Sequence, residues 1–305
     1  GGGDTDGRTR RWQARRRDDE RERMGKAGKS KKSKKTTTKT LEREAAKTKS
    51  APPQPKSSVP PPSQTKSSPP PQTKSRDLGE RLKRRLHGSQ FRSLNEFLYT
   101  HSGAENLAKF TPELMEAYHR GFREQASKWP KNPLDDVIAA LSKSKKRLVV
   151  ADMGCGDARL ADELEQHAVH SFDLVATKAH VVACNIASTP LPDSSVDCVV
   201  FCLALMGPDS LAFLKEARRI LKSGGQLRVA EVRSRFPEQG FAKFRSCLGV
   251  LGFDVLESDD GVSSSFFVAY HCVKKKTIKA TTPDDLDARL QAINFHFKPC
   301  LYKKR

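Results

Sequence analysis

From Arg147 onward, short apolar runs alternate with amphipathic stretches, and this alternation constrains the fold more than any other feature of the chain. The pattern is typical of a parallel sheet with crossover helices. We predict seven strands, at residues 147–153, 171–175, 181–185, 196–203, 226–232, 253–258 and 265–273. Helices are predicted at 158–166, 210–221 and 238–250. Only a short loop fits between the second and third strands, since a helical crossover needs about a dozen residues.

Residues 88–145 predict a helical region that packs on the sheet domain of residues 146–305. Thr111 followed by Pro112 is a helix start signal. The apolar residues that follow recur three or four apart and so share one helix face: Leu114, Met115, Tyr118 and Phe122.

The composition of residues 1–87 is different. This segment carries 26 Lys and Arg against 10 Asp and Glu, whereas residues 88–305 carry 30 against 26. Nine of the 18 prolines lie between Pro52 and Pro71. We predict a disordered basic arm, because such a segment buries too little apolar surface to fold alone. The arm would bind a polyanion such as RNA or DNA, or act as a nuclear localisation signal. The composition is compatible with both roles.

Cysteine usage and hydropathy exclude several classes of protein. The seven cysteines are scattered and lie mostly in apolar runs, which predicts reduced core thiols. None forms a Cys-x-x-Cys pair, and His167 with His170 has no partner ligands nearby, so no metal site is predicted. There is no secretory signal and no apolar run long enough to span a bilayer. We expect a reducing, soluble, intracellular setting, no membrane partner, and, from the basic arm, the nucleus.

The stretch LVVADMGCGD (148–157) carries the strongest chemical signal. A buried strand leads to the acidic Asp152, and Gly154 and Gly156 then turn into a helix. Glycine allows a tight turn and close approach of a ligand to the backbone. Asp173 is predicted at the tip of the second strand, where a carboxylate can bind the two hydroxyls of a ribose. We therefore place Asp152, Gly154, Gly156 and Asp173 at a nucleoside-containing cofactor.

The same motif argues against a dinucleotide. A dinucleotide site expects a third glycine where Arg159 stands, and Asp157, beside the helix N-terminus, would repel a pyrophosphate. S-adenosylmethionine fits better, because it has one ribose, an amino acid end and no phosphate. A glycine turn that binds nothing is the alternative.

The predicted fold class is therefore α/β: a Rossmann-like, seven-stranded class I methyltransferase sheet with an N-terminal helical lead-in and a disordered basic arm. In such a domain Asn185 and Ile186, after the third strand, would line the adenine pocket. Cys202 would end the fourth strand beside the cofactor.

Five separated stretches together resemble the ribosomal RNA-processing protein 8 family, also called nucleomethylin: YHRGFREQASKWP (118–130), ADMGCGDARLA (151–161), VDCVVFCLALMG (196–207), LKEARRILKSGGQLRVAEVRSRF (214–236) and PCLYKKR (299–305). GSQFRSLNEFLY (88–99) is similar to that family's N-terminal signature. The resemblance implies a nucleolar enzyme that methylates N1 of an adenine in large-subunit ribosomal RNA. Pre-ribosomal particles and chromatin would be its partners, and we expect a monomer.

Carried over by motif, the resemblance places a set of residues at the cofactor: His119, Gly154, Asp173, Asn185, Ile186 and Cys202. The chain departs from the family twice. The family usually has Asp-Met in place of Asn185-Ile186, and Ser in place of Ala204. Asn185 can still accept a hydrogen bond from the adenine amino group, whereas Ala204 offers no hydroxyl to a substrate.

The implied reaction depends on positioning, because neutral adenine N1 already has a lone pair. N1 lies on the Watson–Crick edge, so the target base must be unpaired or flipped. We assign to Glu231, at the tip of the fifth strand, the stabilisation of charge that develops on the ring. Arg233 and Arg235 would bind RNA phosphates. The alternatives are that Glu231 caps a loop and that both arginines are solvated.

The sequence also bears on two other functions. N6-methylation is disfavoured, because FCLALMG (201–207) stands where an Asn/Asp-Pro-Pro-aromatic loop would follow the fourth strand. The second alternative is a binding module without turnover, which would sense the cofactor in rDNA chromatin silencing or pre-rRNA processing.

Overall fold

The computed structural model describes residues 73–260, 266–276 and 282–302, with side chains from Leu78 onward. The first 72 residues of the predicted arm lie outside this range. One compact unit begins at Glu80.

Seven strands form a single sheet: β1 (Val149–Met153), β2 (Ala168–Asp173), β3 (Val181–Ala183), β4 (Val196–Cys202), β5 (Leu221–Val232), β6 (Phe253–Ser258) and β7 (Phe267–Lys274). Their order is β3-β2-β1-β4-β5-β7-β6. The strands from β1 to β5 pair in parallel, and β7 is antiparallel to both of its neighbours. This arrangement confirms the predicted seven-stranded class I methyltransferase sheet.

The described residues form eight α-helices: α1 (Thr73–Thr100), α2 (Gly103–Lys109), α3 (Pro112–Ala126), α4 (Pro133–Ser142), α5 (Arg159–Glu163), α6 (Ser210–Ile220), α7 (Gly240–Val250) and α8 (Pro283–Ile293). Helix α2 lies within the predicted helical region 88–145 but is not predicted there as a separate helix, and α8 is not predicted. None of the eight has the length and apolar content that a membrane crossing requires.

Helix α1 begins at Thr73, inside the segment that composition assigned to the arm. Lys and Arg are good helix formers, so a basic segment continues a helix whose C-terminal half is held by packing. That half buries Phe91 and Leu94 against Tyr118 of α3. The helices approach closely, since a Cβ added at Gly121 would lie 2.5 Å from the Phe91 ring.

Local signals set the start of α3 as predicted. The Thr111 hydroxyl accepts a hydrogen bond from the N–H of Leu114, and Pro112 occupies the first turn. The apolar face of α3 packs in the same cluster as Val175, which follows β2. The lead-in helices therefore lie over the carboxyl edge of the sheet.

Three predicted elements differ clearly in length or position. Strand β5 begins at Leu221 rather than at residue 226. The helix predicted at 158–166 begins at Arg159, because Ala158 is left-handed, and ends at Glu163, because Leu164 leaves the helical conformation. Strand β2 runs from Ala168 to Asp173 rather than over 171–175, paired along its length with β1. The short, non-helical connection predicted between β2 and β3 is confirmed. The carboxyl ends of β1 to β4 therefore share one edge of the sheet, where α/β folds bind ligands.

Candidate active site

The glycine turn after β1 is fixed both by backbone conformation and by lack of space. Gly154 and Gly156 have φ angles of +75° and +55°, which glycine adopts without strain. The N–H groups of Gly154 and Cys155 donate to the carbonyl of Phe172 at 2.8 and 2.9 Å, which ties the turn to β2. A Cβ added at Gly154 would lie 2.6 Å from the Cβ of Ala204. The turn is therefore held between β2 and the loop after β4.

Asp173 ends β2 and completes the turn from the other side. Its Oδ2 accepts the N–H of Gly156 at 2.7 Å, and its Oδ1 accepts the N–H of Leu174 at 2.7 Å. Burial raises the pKa of this carboxyl, while His119 and the two N–H donors act in the opposite direction. Each carboxylate oxygen retains a second acceptor position, so the group can still bind the two hydroxyls of a ribose.

Asp152 lies one residue before the end of β1 and is 3% exposed. Burial, and then the negative charge of Asp173, raises its pKa to about 7. No described residue donates a hydrogen bond or contributes an ion pair to its carboxylate. A buried carboxylate without a donor is expensive to ionise, so this site favours a ligand that brings a positive charge.

His119 of α3 lies beside the same turn. The side chain is 5% exposed, and its Nδ1 has no hydrogen-bond partner within the described part of the chain. Its Nε2 lies 3.9 Å from where a Cβ on Gly156 would be. Nearby, Arg123 donates to Asp157 at 2.8 Å, so the exposed carboxylate of the turn is already neutralised.

Asn185 and Ile186 follow β3 on the neighbouring side of the site. The side-chain oxygen of Asn185 accepts the N–H of Ala187 at 2.9 Å, and Ile186 is 8% exposed. A Cβ added at Gly103 would lie 2.7 Å from the Asn185 amide. The first residue of α2 is thus packed directly on a residue predicted to bind adenine.

Cys202 ends β4 close to Asp152. Burial raises the pKa of the Cys202 thiol, and the charge of Asp152 adds to the shift. The next residue, Leu203, has a φ of +60°, and its N–H donates to the carbonyl of Ala230 at 2.8 Å. This turn places Ala204 against the glycine loop.

Glu231 does not reach the open part of the site. Its side chain is fully buried; Oε1 accepts the N–H of Leu205 at 2.9 Å, and Oε2 accepts from Nη1 of Arg235 at 2.6 Å. The assignment of Glu231 to a contact with the reacting base does not fit this geometry. The alternative, that Glu231 caps a loop, does.

The two arginines predicted to hold phosphates are engaged within the protein. Arg235 is 1% exposed, and its Nη2 donates to the carbonyl of Leu205 at 2.6 Å. Arg233 donates to the carbonyls of Asp260 and Asp259 at 2.9 and 2.8 Å. The phosphate assignment of Arg235 is therefore corrected, because its guanidinium is buried. Arg233 is only partly buried and donates to two backbone carbonyls, so its assignment to an RNA phosphate stays a prediction.

Eight of the eleven predicted site residues lie at the carboxyl edge of β1–β4 or on the helix packed over it: His119, Asp152, Gly154, Gly156, Asp173, Asn185, Ile186 and Cys202. Among the residues that the structure describes, no group of three or more His, Cys, Asp or Glu side chains has an arrangement suited to a metal ion.

The sequence matches, over residues 77–305, a family described as hypothetical methyltransferases. Curated relatives named ribosomal RNA-processing protein 8 include one from Arabidopsis thaliana, 42% identical over 73% of this chain and 77% of that protein. The mouse protein of that name is 42% identical over 75% of this chain.

The chain belongs to the ribosomal RNA-processing protein 8 family.

A further relative, from Schizosaccharomyces pombe, is named 25S rRNA (adenine(645)-N(1))-methyltransferase; it is 46% identical over 58% of this chain and 60% of that protein. The chain spans about half the length of its mouse and rat relatives, at 48% of each. Among solved structures, a SAM dependent methyltransferase from Aquifex aeolicus is similar over 54% of this chain and 100% of that one, with a TM-score of 0.40 and 16% identity.

The sequence of this ribosomal RNA-processing protein 8 relative did not lead us to predict the contribution of helix α2 to the site. Ser102 and Glu105 form a capping box at the start of α2, a signal readable from the sequence. The N–H of Gly103 donates to Asp209 at 2.6 Å, which anchors α2 to the loop after β4. Gly103 therefore packs against Asn185, the residue predicted to line the adenine pocket.

Proposed function

We propose that this protein is an S-adenosylmethionine-dependent methyltransferase that acts on N1 of an adenine in large-subunit ribosomal RNA during ribosome biogenesis. The observation that carries the proposal is the buried, donor-free carboxylate of Asp152 beside the ribose-type carboxylate of Asp173, at the carboxyl edge of a methyltransferase sheet. The printed name of the Schizosaccharomyces pombe relative supports the substrate.

The residues present fit this cofactor. Asp173 would bind the ribose hydroxyls with its remaining acceptor positions, and Asp152 would face the ammonium of the amino acid end. Gly154 and Gly156 would allow the amino acid end to approach the backbone. When bound, the cofactor supplies an electrophilic methyl group.

Asn185, Ile186, Cys202 and His119 would complete the pocket. The free acceptor position of the Asn185 oxygen can take the adenine amino group, and the buried Ile186 would offer an apolar face to the ring. Nδ1 of His119 is buried without a hydrogen bond to any described residue, and the Asp157 carboxylate lies 3.9 Å away, so a ligand polar group could satisfy it. Ala204 replaces a serine that is usual in the family, and binding would not depend on that hydroxyl.

Methyl transfer to adenine N1 requires the protein mainly to position the base and the methyl group. Adenine N1 is neutral and carries a lone pair, so no side chain has to remove a proton before attack. This agrees with the burial of Glu231, the carboxylate predicted to meet the base, which is 0% exposed. The protein would hold the flipped base in line with the methyl group and exclude water.

A basic surface suited to RNA precedes the catalytic domain. Residues 80–87 of α1 carry four exposed cations, namely Arg81, Lys83, Arg84 and Arg85. None of them has an ion pair with any residue that the structure describes. Such cations release counterions from a phosphate backbone when they bind it. Residues 1–72, which add most of the chain's positive charge, lie outside the described range.

The matched test of this surface compares two fourfold Gln variants. One replaces the four cations of α1, and the other replaces Lys143, Lys145, Lys146 and Arg147, which are exposed at the opposite edge of the sheet. We expect the first to weaken RNA binding and to lower the salt slope by about 0.7–0.9 per lost phosphate contact. Equal effects in both variants would mean that only net charge matters.

Methyl transfer tests the activity itself. Full-length protein should transfer labelled methyl from S-adenosylmethionine to ribosomal RNA, but not to histones or bulk DNA, and reverse-transcription stops should appear at one adenosine. Cofactor binding without transfer to any of these would favour the alternative, a module that senses the cofactor on chromatin or pre-ribosomes. We place the protein in the nucleolus, where its RNA is made; a fluorescent fusion excluded from nucleoli would contradict this.

A further inference from the structure

Two buried charges that the proposed reaction does not use lie beneath the loop after β4. Glu231 and Arg235 are 0% and 1% exposed and form an ion pair of 2.6 Å. A buried ion pair commonly gives little net stability, because desolvation of two charges offsets their attraction. A geometric role therefore explains this pair better than a stabilising one.

The pair holds both backbone groups of a single loop residue. Glu231 accepts the N–H of Leu205 at 2.9 Å, and Arg235 donates to its carbonyl at 2.6 Å. With both groups bonded, the peptide planes on either side of Leu205 cannot rotate. The adjacent Ala204 is the residue that packs on Gly154. The pair thus sets the position of this loop relative to the glycine turn.

Arg235 also ties down the C-terminal segment, residues 294–302. Its Nε donates to the carbonyl of Lys298 at 3.1 Å, and the N–H of Lys298 donates back to the Arg235 carbonyl at 2.7 Å. The guanidinium lies 4.8 Å from the ring centre of Tyr99 and 4.6 Å from that of Phe297. One side chain therefore joins the loop after β4, helix α1 and the C-terminal segment.

We propose that the Glu231–Arg235 pair positions the loop after β4 for methyl transfer, and that the C-terminal segment is part of this support. The inference rests on the proposed function. Both residues act through Leu205 and touch neither cofactor nor base, so they are positioning residues. Displacement of a site by about 1 Å can lower a rate roughly 100-fold.

Two conservative variants separate the effect of side-chain charge from the effect of side-chain shape in the Glu231–Arg235 pair. Glu231→Gln keeps an acceptor for the Leu205 N–H but places an amide against the guanidinium. Arg235→Lys keeps the charge but cannot reach three acceptors at once. We expect kcat to fall roughly 10- to 100-fold, with the Kd for S-adenosylhomocysteine and the KM for RNA within about threefold of the parent.

Asp197→Asn is the matched control. Asp197 also accepts a backbone N–H, that of Val149 at 2.8 Å, and pairs with Lys222 at 2.6 Å, but at the amino edge of the sheet. This variant should lose stability without losing kcat. All proteins are assayed well below their melting temperatures, as followed by circular dichroism.

The outcomes are distinguishable. If the parent itself transfers no methyl group, the proposed function fails. If the parent is active and the folded Glu231 and Arg235 variants keep kcat within about threefold, or if Asp197→Asn loses as much, the positioning role is overturned. Should neither variant fold, Phe297→Leu decides, since it keeps the ion pair and removes one ring from the guanidinium. A lower kcat with intact cofactor binding supports the proposal, and an unchanged kcat refutes it.

Discussion

The titration of Asp152 should control how tightly the cofactor binds. Burial and the charge of Asp173 raise the pKa of Asp152 to about 7, so the unliganded pocket is largely protonated at pH 6. A ligand ammonium beside this group favours the carboxylate. Binding of the cofactor should therefore release a proton below pH 7.

The size of the effect follows from the ionised fraction. With a pKa of about 7, roughly one Asp152 in eleven is ionised at pH 6 and roughly ten in eleven at pH 8. If only the carboxylate binds well, affinity should rise about tenfold over this range, mostly below pH 7.5. Asp152→Asn should bind more weakly and lose the pH dependence.

The same shift predicts the stability of the unliganded protein. The folded-state pKa of about 7 lies above the ordinary value of 3.8 for an exposed aspartate, so the folded state holds the proton more strongly. Stability contributed by this proton is complete below pH 4 and is lost as pH rises through 7. Three pKa units correspond to on the order of 4 kcal/mol. Asp152→Asn should therefore be more stable than the parent at pH 8 and nearly equal to it at pH 4.

Isothermal titration calorimetry with S-adenosylhomocysteine, from pH 5.5 to 7.5 in two buffers of different ionisation enthalpy, measures both affinity and proton release. The same measurement on Asp152→Asn gives the proton release that comes from the ligand amine and from Asp173. Subtracting it from the value for the parent leaves the contribution of Asp152. An affinity that is flat with pH in the parent, or an equal slope in both proteins, would refute the reasoning.

Two further predictions concern glycines. Gly154→Ala forces a side chain into a left-handed backbone and to within 2.6 Å of Ala204, so we expect a loss of stability of about 1–3 kcal/mol or more and weaker cofactor binding. Thermal unfolding with and without S-adenosylhomocysteine measures both; an unchanged melting temperature contradicts this. Gly103→Ala should displace Asn185, 2.7 Å away, and lower cofactor affinity while RNA affinity is kept. Calorimetry and filter binding test this, and equal cofactor affinity would place Asn185 outside the pocket.

Sequence was sufficient where the determinants of structure are local. The glycine turn, the acidic residue at the tip of β2 and the Thr111-Pro112 helix start each depend on a few consecutive residues, and the structure has all three. Two missed helices also carried local signals: the capping box at Ser102, and Thr282 as the N-cap of α8. These could have been read from the sequence.

The roles of Glu231 and Arg235 could not be inferred in this way. The sequence places both at the tip of the fifth strand, where exposed charges commonly meet a substrate. Their partners lie 26, 30 and 63 residues away, in the loop after β4 and the C-terminal segment. A charge at a strand tip is exposed or buried according to which distant segment covers it. The local sequence does not specify that segment.

Asp152 and Asp173 have the same side chain, but their different surroundings suit them to different roles. Asp173 receives two backbone N–H donors, which help hold its charge and fix its orientation, as a ribose diol requires. Asp152 receives no hydrogen bond within the described chain, and its pKa of about 7 shows that its charge is costly to keep. Burial raises the pKa of both carboxyls, but two N–H donors fix the orientation of Asp173 before a ligand arrives, whereas Asp152 has no such donor among the described residues. A ligand with both a diol and an ammonium satisfies the pair, and one with a diol and a phosphate does not.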